Sequence, residues 1–457
     1  MNIVMVHTDD TGRYIGPYGH AIDTPRLNEL AHESLVFRQA FCAGPTCSPS
    51  RASVMTGQYP HANGMIGLAH RGFELNNYDH HLASVLSNHG YETVLAGEQH
   101  EASPSTPSMH EAAREIIGYD RTLTGDTEAV RDLPIDHDPT RRDLSNATAA
   151  ASFITQWSPR DSSFFLSLGL FNTHKPFPIS QDVVDPNRVR VPDPLPDVPE
   201  IREEMAAYQL LARYVDECVG RVLDALADSP AGEDTLVVFT TDHGIPFPYM
   251  KCDLRDAGTG VSLIVRHPDG RRAGETEDAL VSTMDLYPTF CELIGLEIPE
   301  RVDGRSLVPL IEGDADTVRE HLFSEVTYHA AYEPKRCVRT DRYKYIRRFD
   351  DEYTRAVGPN TDDGPAKRFL AQRGFLERQR PREALYDLDH DPHERTNLID
   401  SAEHADICRS LGTRLEQWME DTGDPLLDGP VSKPAGAVAD RRGAIDPGDE
   451  YEPANAR

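Results

Sequence analysis

Five short apolar runs, at residues 2–6, 92–96, 163–170, 235–240 and 262–265, alternate with amphipathic segments along the first two thirds of the chain, and this alternation constrains the fold most. Each run is nearly continuous and bounded by turn or polar residues, as expected of a strand buried on both faces. Between them, Thr24-Pro25 opens a helix with a capping residue and a proline at its first position, and residues 82–89 and 205–226 carry apolar side chains at helical spacing. The pattern predicts an α/β fold with a large, mostly parallel sheet covered by helices on both faces. Ligands of such sheets bind beyond the carboxyl ends of the strands.

From about residue 321 the pattern changes. Residues 323–327, 337–340 and 343–348 suggest short antiparallel strands, followed by a helix at 405–419. A chain of 457 residues exceeds what one hydrophobic core usually covers. The expected division is therefore a catalytic domain at 1–320, a smaller α+β domain with a short antiparallel sheet at 321–420, and a poorly ordered tail at 421–457, where Gly, Pro and Asp recur.

Polar chemistry collects where the runs end. Asp9-Asp10 follows the first run, and two adjacent carboxylates at a buried strand end repel each other unless they share a cation; a helix cap or loop pair is the alternative. Asp242-His243 follows the run at 235–240 in the same way, so the four residues form a candidate site for one divalent metal. Gly97-Glu98-Gln99-His100 and Phe171-Asn172-Thr173-His174 bring histidines to two more strand ends. Cys47 opens a helix with Arg51 one turn on, where the helix dipole and a fixed cation favour negative charge. Lys251 lies about ten residues beyond the metal strand and is one of only six lysines.

Composition excludes several partners. With 76 acidic against 46 basic residues the formal net charge is -30, which argues against nucleic acid. Arginine far outnumbers lysine, consistent with either a halophilic host or a GC-rich genome. Seven widely spaced cysteines without CxxC pairs argue against a disulfide framework or zinc ribbon. No apolar stretch approaches ~20 residues and no export signal is evident, so neither a membrane nor secretion is expected, and a reducing cytoplasm is the simplest location.

The string CSPSRASVMTG at residues 47–57 resembles the sulfatase motif C-x-P-S-R-x-x-x-M/L-T-G. In that family the cysteine is oxidised after synthesis to formylglycine, an aldehyde whose hydrate is the nucleophile. The resemblance extends over residues 1 to about 420 and implies an alkaline phosphatase-like fold. The strings at 63–68, 242–248 and 385–394 are most similar to the sulfamidase (heparan N-sulfatase) branch. It implies that Asp9, Asp10, Asp242, His243 and oxidised Cys47 hold the metal. It further implies that Arg51, Lys251 and His174 neutralise the sulfuryl oxygens, and that His100 or His174 protonates the leaving group.

Two positions depart from the family pattern. His243 stands where many sulfatases carry Asn and bind calcium through oxygens alone; Ca²⁺ is the first expectation, with Mn²⁺ or Zn²⁺ as alternatives that suit imidazole better. Glu98 stands where the family's G-K-x-H element places a sulfate-contacting lysine, and is grouped with Tyr328 and His329, alongside Tyr332, as a candidate substrate contact. The implied reaction is hydrolysis of a sulfate ester or sulfamate, as in N-sulfoglucosamine, through a covalent sulfo-enzyme. The implied partners are a sulfated small molecule or saccharide and a formylglycine-generating maturation enzyme. The alternatives are a phosphodiesterase or phosphonate monoester hydrolase using the same aldehyde, or a catalytically inactive sulfatase-fold binding protein, to which Glu98 alone points.

Overall fold

The computed structural model describes residues 1–103, 109–123, 137–160, 162–178 and 183–452. Ten strands belong to the first part of the chain: β1 (Asn2–Thr8), β2 (Leu35–Phe37), β3 (Ala40–Phe41), β4 (Glu92–Gly97), β5 (Arg121–Leu123), β6 (Phe164–Leu170), β7 (Thr235–Thr241), β8 (Leu263–Arg266), β9 (Thr276–Glu277) and β10 (Val281–Ser282). Eight of them form one sheet in the order β5-β4-β6-β1-β7-β8-β2-β9, and β3 pairs with β10. The five strands from β5 to β7 are parallel, while β8 runs antiparallel to both β7 and β2.

Alternate residues of β1 enter different cores, as strand pleating requires. Ile3 and Met5 pack with Val54, Leu82, Leu86 and Phe290 from the helices Cys47–Thr56, Leu82–Asn88 and Leu286–Leu293. Val4 and Val6 face Leu27, Leu144, Val215 and Val219 from Pro25–His32, Asp138–Gln156 and Pro199–Ala227. The sheet is thus covered on both faces, and its central strands are buried along their whole length, polar residues such as His7, Thr8, Ser167 and Thr240 included. Among the described residues no helix is long and apolar enough to cross a membrane.

Register decides where the polar ends meet. Thr8 pairs with Leu170 on one side and Thr241 on the other, so Asp9, Phe171 and Asp242 leave the sheet at one level. Gly97 and Gly169 are paired next door. A Cβ on Gly97, whose φ is +83°, would lie 2.1 Å from the Gly169 carbonyl oxygen, so only glycine lets β4 end this close to β6.

Four further strands, β11 (Leu322–Tyr328), β12 (Tyr332–Arg339), β13 (Tyr343–Arg348) and β14 (Glu383–Asp387), form an antiparallel sheet in that order. Leu411, Leu415, Trp418 and Met419 of the helix Ala405–Thr422 pack on Phe323, Val338, Tyr345 and Leu385 of this sheet.

Two local expectations need correction. Thr24 does not cap the helix Pro25–His32: its hydroxyl accepts from the Gly16 amide at 2.9 Å, and the orphan amides of Arg26 and Leu27 go to Asp216 (3.2 and 2.7 Å) on the long helix Pro199–Ala227. The stretch after Asp421, expected to be loose, is packed as far as it is described. Asp440 is fully buried and accepts both terminal nitrogens of Arg71 at 3.2 Å, and its amide donates to the Ala330 carbonyl at 2.7 Å. A fork of two charge-assisted bonds at a buried carboxylate anchors the segment despite its Gly, Pro and Asp content.

Candidate active site

At the level where β1, β6 and β7 end, three buried carboxylates present oxygens that have no hydrogen-bond partner among the described residues. Asp242 Oδ1 accepts the amides of Asp10 (2.9 Å) and His243 (2.8 Å), while its Oδ2 has no hydrogen-bond partner. Asp10 Oδ2 accepts from Lys251 Nζ at 3.0 Å, and its Oδ1 is unpartnered. Both oxygens of Asp9 are also unpartnered, and all three carboxylates are buried. The imidazole of His243 donates Nδ1–H to the Gly244 carbonyl (3.0 Å), which leaves the Nε2 lone pair aimed at Asp10 Oδ1 (3.3 Å), Asp242 Oδ2 (3.4 Å) and Cys47 Sγ (3.5 Å).

One ligand atom each from Asp9, Asp10, Cys47, Asp242 and His243 lies within 4.8 Å of all the others. Electron-rich atoms converging without donors between them, and buried at a cost of several kcal/mol each if left alone, fit a divalent cation. Burial is also the chief reason that Asp10 and Asp242 are pushed above the usual carboxylate range. For Asp9 burial acts the same way, but Arg51 and the other neighbouring cations outweigh it.

Cys47 is the first residue of its helix, as expected, yet its thiol is not activated. Burial, then Asp9, Asp10 and Asp242, push it well above the ordinary thiol value. Lys251 opposes this rise and does not outweigh it. Arg51 itself lies behind the site, with Nη2 3.8 Å from Asp9 Oδ2, Nε 3.6 Å from Asp242 Oδ2 and Nη1 donating to His7 Nδ1 at 2.7 Å. With its guanidinium taken up by His7, Asp9 and Asp242 it orients carboxylates, where a contact to sulfuryl oxygens was expected.

The outer groups are partly exposed. His100 Nδ1 is 3.5 Å from Asp9 Oδ2, and His174 Nε2 is 3.9 Å from Asp10 Oδ2. His174 Nδ1 is hydrogen-bonded to the Lys175 carbonyl, which leaves Nε2 toward the site. Lys251 Nζ bridges Asp10 and Asp362, 3.1 Å away. His329 is buried with an unpartnered Nδ1, and burial followed by the nearby charge of Lys251 holds its basicity down.

Two expected substrate contacts lie elsewhere. The Tyr328 ring packs against Phe73 and Tyr332, and its hydroxyl donates to the Val431 carbonyl at 2.9 Å, while the Tyr332 hydroxyl accepts the Val431 amide at 3.1 Å. Both tyrosines hold the C-terminal segment because their rings find more apolar area there than at the strand end. Glu98 is paired with Arg142 at 3.1 Å, so its carboxylate is neutralised and does not oppose an anionic substrate.

Other residues escaped the sequence reading. His7 lies inside β1 and links Arg51 to Ser167 (3.0 Å); a histidine directly after the run at 2–6 was its signal. Glu101 accepts the His100 amide at 2.8 Å, and Asp143 accepts the amides of Phe171 (3.0 Å) and Asn172 (2.8 Å), holding the turn that carries His174. Asp362 arrives from a loop beyond β13 with no local signal. A second group, His61, Glu325 and Asp424, also meets metal spacing, but there Arg336 sits between the carboxylates, 2.9 Å from Glu325 and hydrogen-bonded to Asp424, so it is an ion-pair network.

Comparison with known proteins agrees with this geometry. Residues 1–296 match the sulfatase family model, and residues 249–362 match that of N-sulphoglucosamine sulphohydrolase, C-terminal. The chain is 28% identical over 484 aligned residues to human (Homo sapiens) N-sulphoglucosamine sulphohydrolase, covering 94% of this chain and 92% of that one. It is 28% identical over 446 residues to an ulvan-active sulfatase of Formosa agariphila, covering 95% and 82%. Among solved structures, a 2-O GAG sulfatase superposes with a TM-score of 0.70 at 22% identity over 95% of each chain. The chain belongs to the sulfatase family, and its large mixed sheet with a C-terminal four-stranded sheet is the alkaline phosphatase-like fold.

Proposed function

We propose that this protein is a metal-dependent sulfatase that hydrolyses a sulfate ester or the sulfamate of an N-sulfoglucosamine-like saccharide. The observation that carries the reading is the set of unpartnered carboxylate oxygens of Asp9, Asp10 and Asp242, gathered with His243 Nε2 around position 47 at the head of a helix. These residues would hold one divalent cation, Ca²⁺ first, with Mn²⁺ or Zn²⁺ as alternatives because of His243. The cation and a formylglycine made from Cys47 by a maturation enzyme would together supply an acidified hydroxyl nucleophile and Lewis-acid stabilisation of charge on the sulfuryl group.

The chain's own residues do the rest. Arg51 and His7 fix the orientation of Asp9 and Asp242 from behind. Lys251 brings a cation, held between Asp10 and Asp362, to the side where sulfuryl oxygens would lie, and a preorganised charge there stabilises the transition state most. His174 and His100 each turn a ring nitrogen toward the site and can carry the proton that the departing amine or alcohol needs. Amino-group departure makes that proton indispensable, because an amide anion is a poor leaving group. The likeness to a sulphoglucosamine sulphohydrolase over nearly the whole chain supports the sulfamate over other sulfated saccharides.

The test is turnover by protein co-expressed with a formylglycine-generating enzyme and loaded with each metal. N-sulfoglucosamine, 4-nitrophenyl sulfate and an aryl phosphonate monoester are compared. Release of sulfate from N-sulfoglucosamine with the highest kcat/KM is expected. Preference for the phosphonate would make the chain a phosphonate monoester hydrolase, and no turnover of any of the three would leave it a binding protein.

A further inference from the structure

In a chain of formal net charge -30, six cations meet around one cavity outside the Cys47 centre. The cavity, of about 370 Å³, lies between the loop 248–255 and the C-terminal sheet, and its lining includes Arg255, Lys335, Arg348, Arg378, Arg380 and Arg395 but only two carboxylates, Asp253 and Glu394. Four of the six cations are paired: Arg255 with Asp253 (2.7 Å), Lys335 and Arg348 with the adjacent Glu333 (3.1 and 2.9 Å), and Arg395 with Asp193. Arg378 and Arg380 pair with no carboxylate among the described residues.

Arg380 lies against two aromatic rings. It is half-buried, with its guanidinium 5.5 Å from the rings of both Tyr249 and Phe375, so its position is set by packing. Burial, with the like charges of Arg255 and Arg348, disfavours its charged form against the pull of Asp253 and Glu333. A guanidinium does not relieve such stress by losing its proton, and a bound anion relieves it instead. In the loop that carries Tyr249, Tyr249 and Cys252 hold left-handed backbone at φ +72° and +61° without being glycine, a strain that persists only where the surroundings enforce it. That loop turns Lys251 toward Asp10 and Tyr249 and Arg255 toward the cavity, so it has a catalytic side and a cationic side.

We propose that the Arg380 cavity is a second anion site, separate from the Cys47 centre, that takes a sulfate- or phosphate-type oxyanion on the unpaired guanidiniums of Arg380 and Arg378. Planar guanidinium forks match tetrahedral oxyanions in bidentate fashion, which lysines do not. The anion has two possible sources, a free inorganic ion or a sulfate group carried on a saccharide.

Calorimetric titration of the full-length protein bearing the unmodified Cys47 thiol distinguishes them, with sodium sulfate in one arm and a heparin-derived N-sulfated disaccharide in the other. Arg380→Met keeps the packing stem and removes the charge, and should weaken binding about tenfold or more, the scale of a charge-assisted hydrogen bond. Arg378→Gln, at an exposed position, should weaken it less. Dependence on Arg380 in the sulfate arm assigns the free ion, and dependence in the disaccharide arm alone assigns the carried group. In crystals soaked with selenate, anomalous density beside Arg380 is expected. Turnover of 4-nitrophenyl sulfate by the matured Arg380→Met protein should remain within about twofold of wild type. Unchanged affinity of both ligands in both variants, selenate at the Cys47 centre alone where the sulfate arm depends on Arg380, or collapse of aryl sulfate turnover in Arg380→Met would overturn the proposal.

Discussion

Replacing Arg336 by Met tests how the C-terminal region is tied together. Arg336 has no exposed surface, lies 2.9 Å from Glu325 Oε2, donates to both oxygens of Asp424, and donates to the Val326 carbonyl at 2.9 Å. The substitution strands two buried carboxylates, and breaking such a pair typically costs about 3–5 kcal/mol. With an unfolding entropy of about 2.1 cal/mol/K per residue, the 457-residue chain changes by about 1 kcal/mol per degree, so Tm should fall by about 4 °C near pH 8. His61 makes the loss pH-dependent. Burial pushes its imidazole down, but the charge of Glu325 and the 2.9 Å hydrogen bond to it outweigh burial and raise it. A histidine raised in the folded state contributes stability fully present below its unfolded value, near about 6.5, and lost as pH rises through the folded value. Without Arg336, whose charge opposes that rise, His61 protonates more readily and replaces one missing cation, so the Tm deficit should shrink near pH 5.5. Adding Glu325→Gln and Asp424→Asn should recover most of the loss. Differential scanning fluorimetry at the two pH values provides the reading. A fall under about 1 °C near pH 8, or an equal fall at both pH values, would refute the claim that these charges are buried together.

Asp9→Asn and Asp242→Asn should each lose bound metal by elemental analysis and turnover together, because each removes one anionic ligand from a buried cluster. Peptide mass spectrometry of protein matured in its host should show an aldehyde at position 47, and full activity with an unmodified thiol would sink the mechanism. Lys251→Ala should lower kcat/KM by on the order of 10². Asp362→Asn, which loosens the same lysine without removing it, should cost about tenfold, chiefly in kcat, with circular dichroism unchanged. Glu98→Gln should leave kcat/KM within about twofold, since that carboxylate is engaged by Arg142, whereas Glu98→Lys sets two cations against each other.

The part of the site that could be seen in the sequence is the part built by parallel strands. A strand buried on both faces is mostly apolar and carries few charges, so its end is marked by the first charged residues after the run, and Asp9, Asp242 and the turns bearing His100 and His174 stand there. The helix head at Cys47 was legible for a similarly local reason. What remained hidden is nonlocal. Asp362 reaches Lys251 across 111 residues of chain, and Asp216 caps a helix 190 residues away; neither stands at a point where the sequence changes character. Tyr328 was misplaced because an aromatic side chain at a strand end has the same local signature whether it meets a ligand or, as here, a returning chain segment. Arg51 shows the limit from the other side: its position in the motif was plain, yet its direction depends on His7, Asp9 and Asp242 converging behind it, and that convergence exists only once β1 lies beside β7. The local pattern therefore announces which atoms arrive at the carboxyl edge of the sheet, while the partner that holds each one, and so the side it presents to a substrate, is set by register between distant strands.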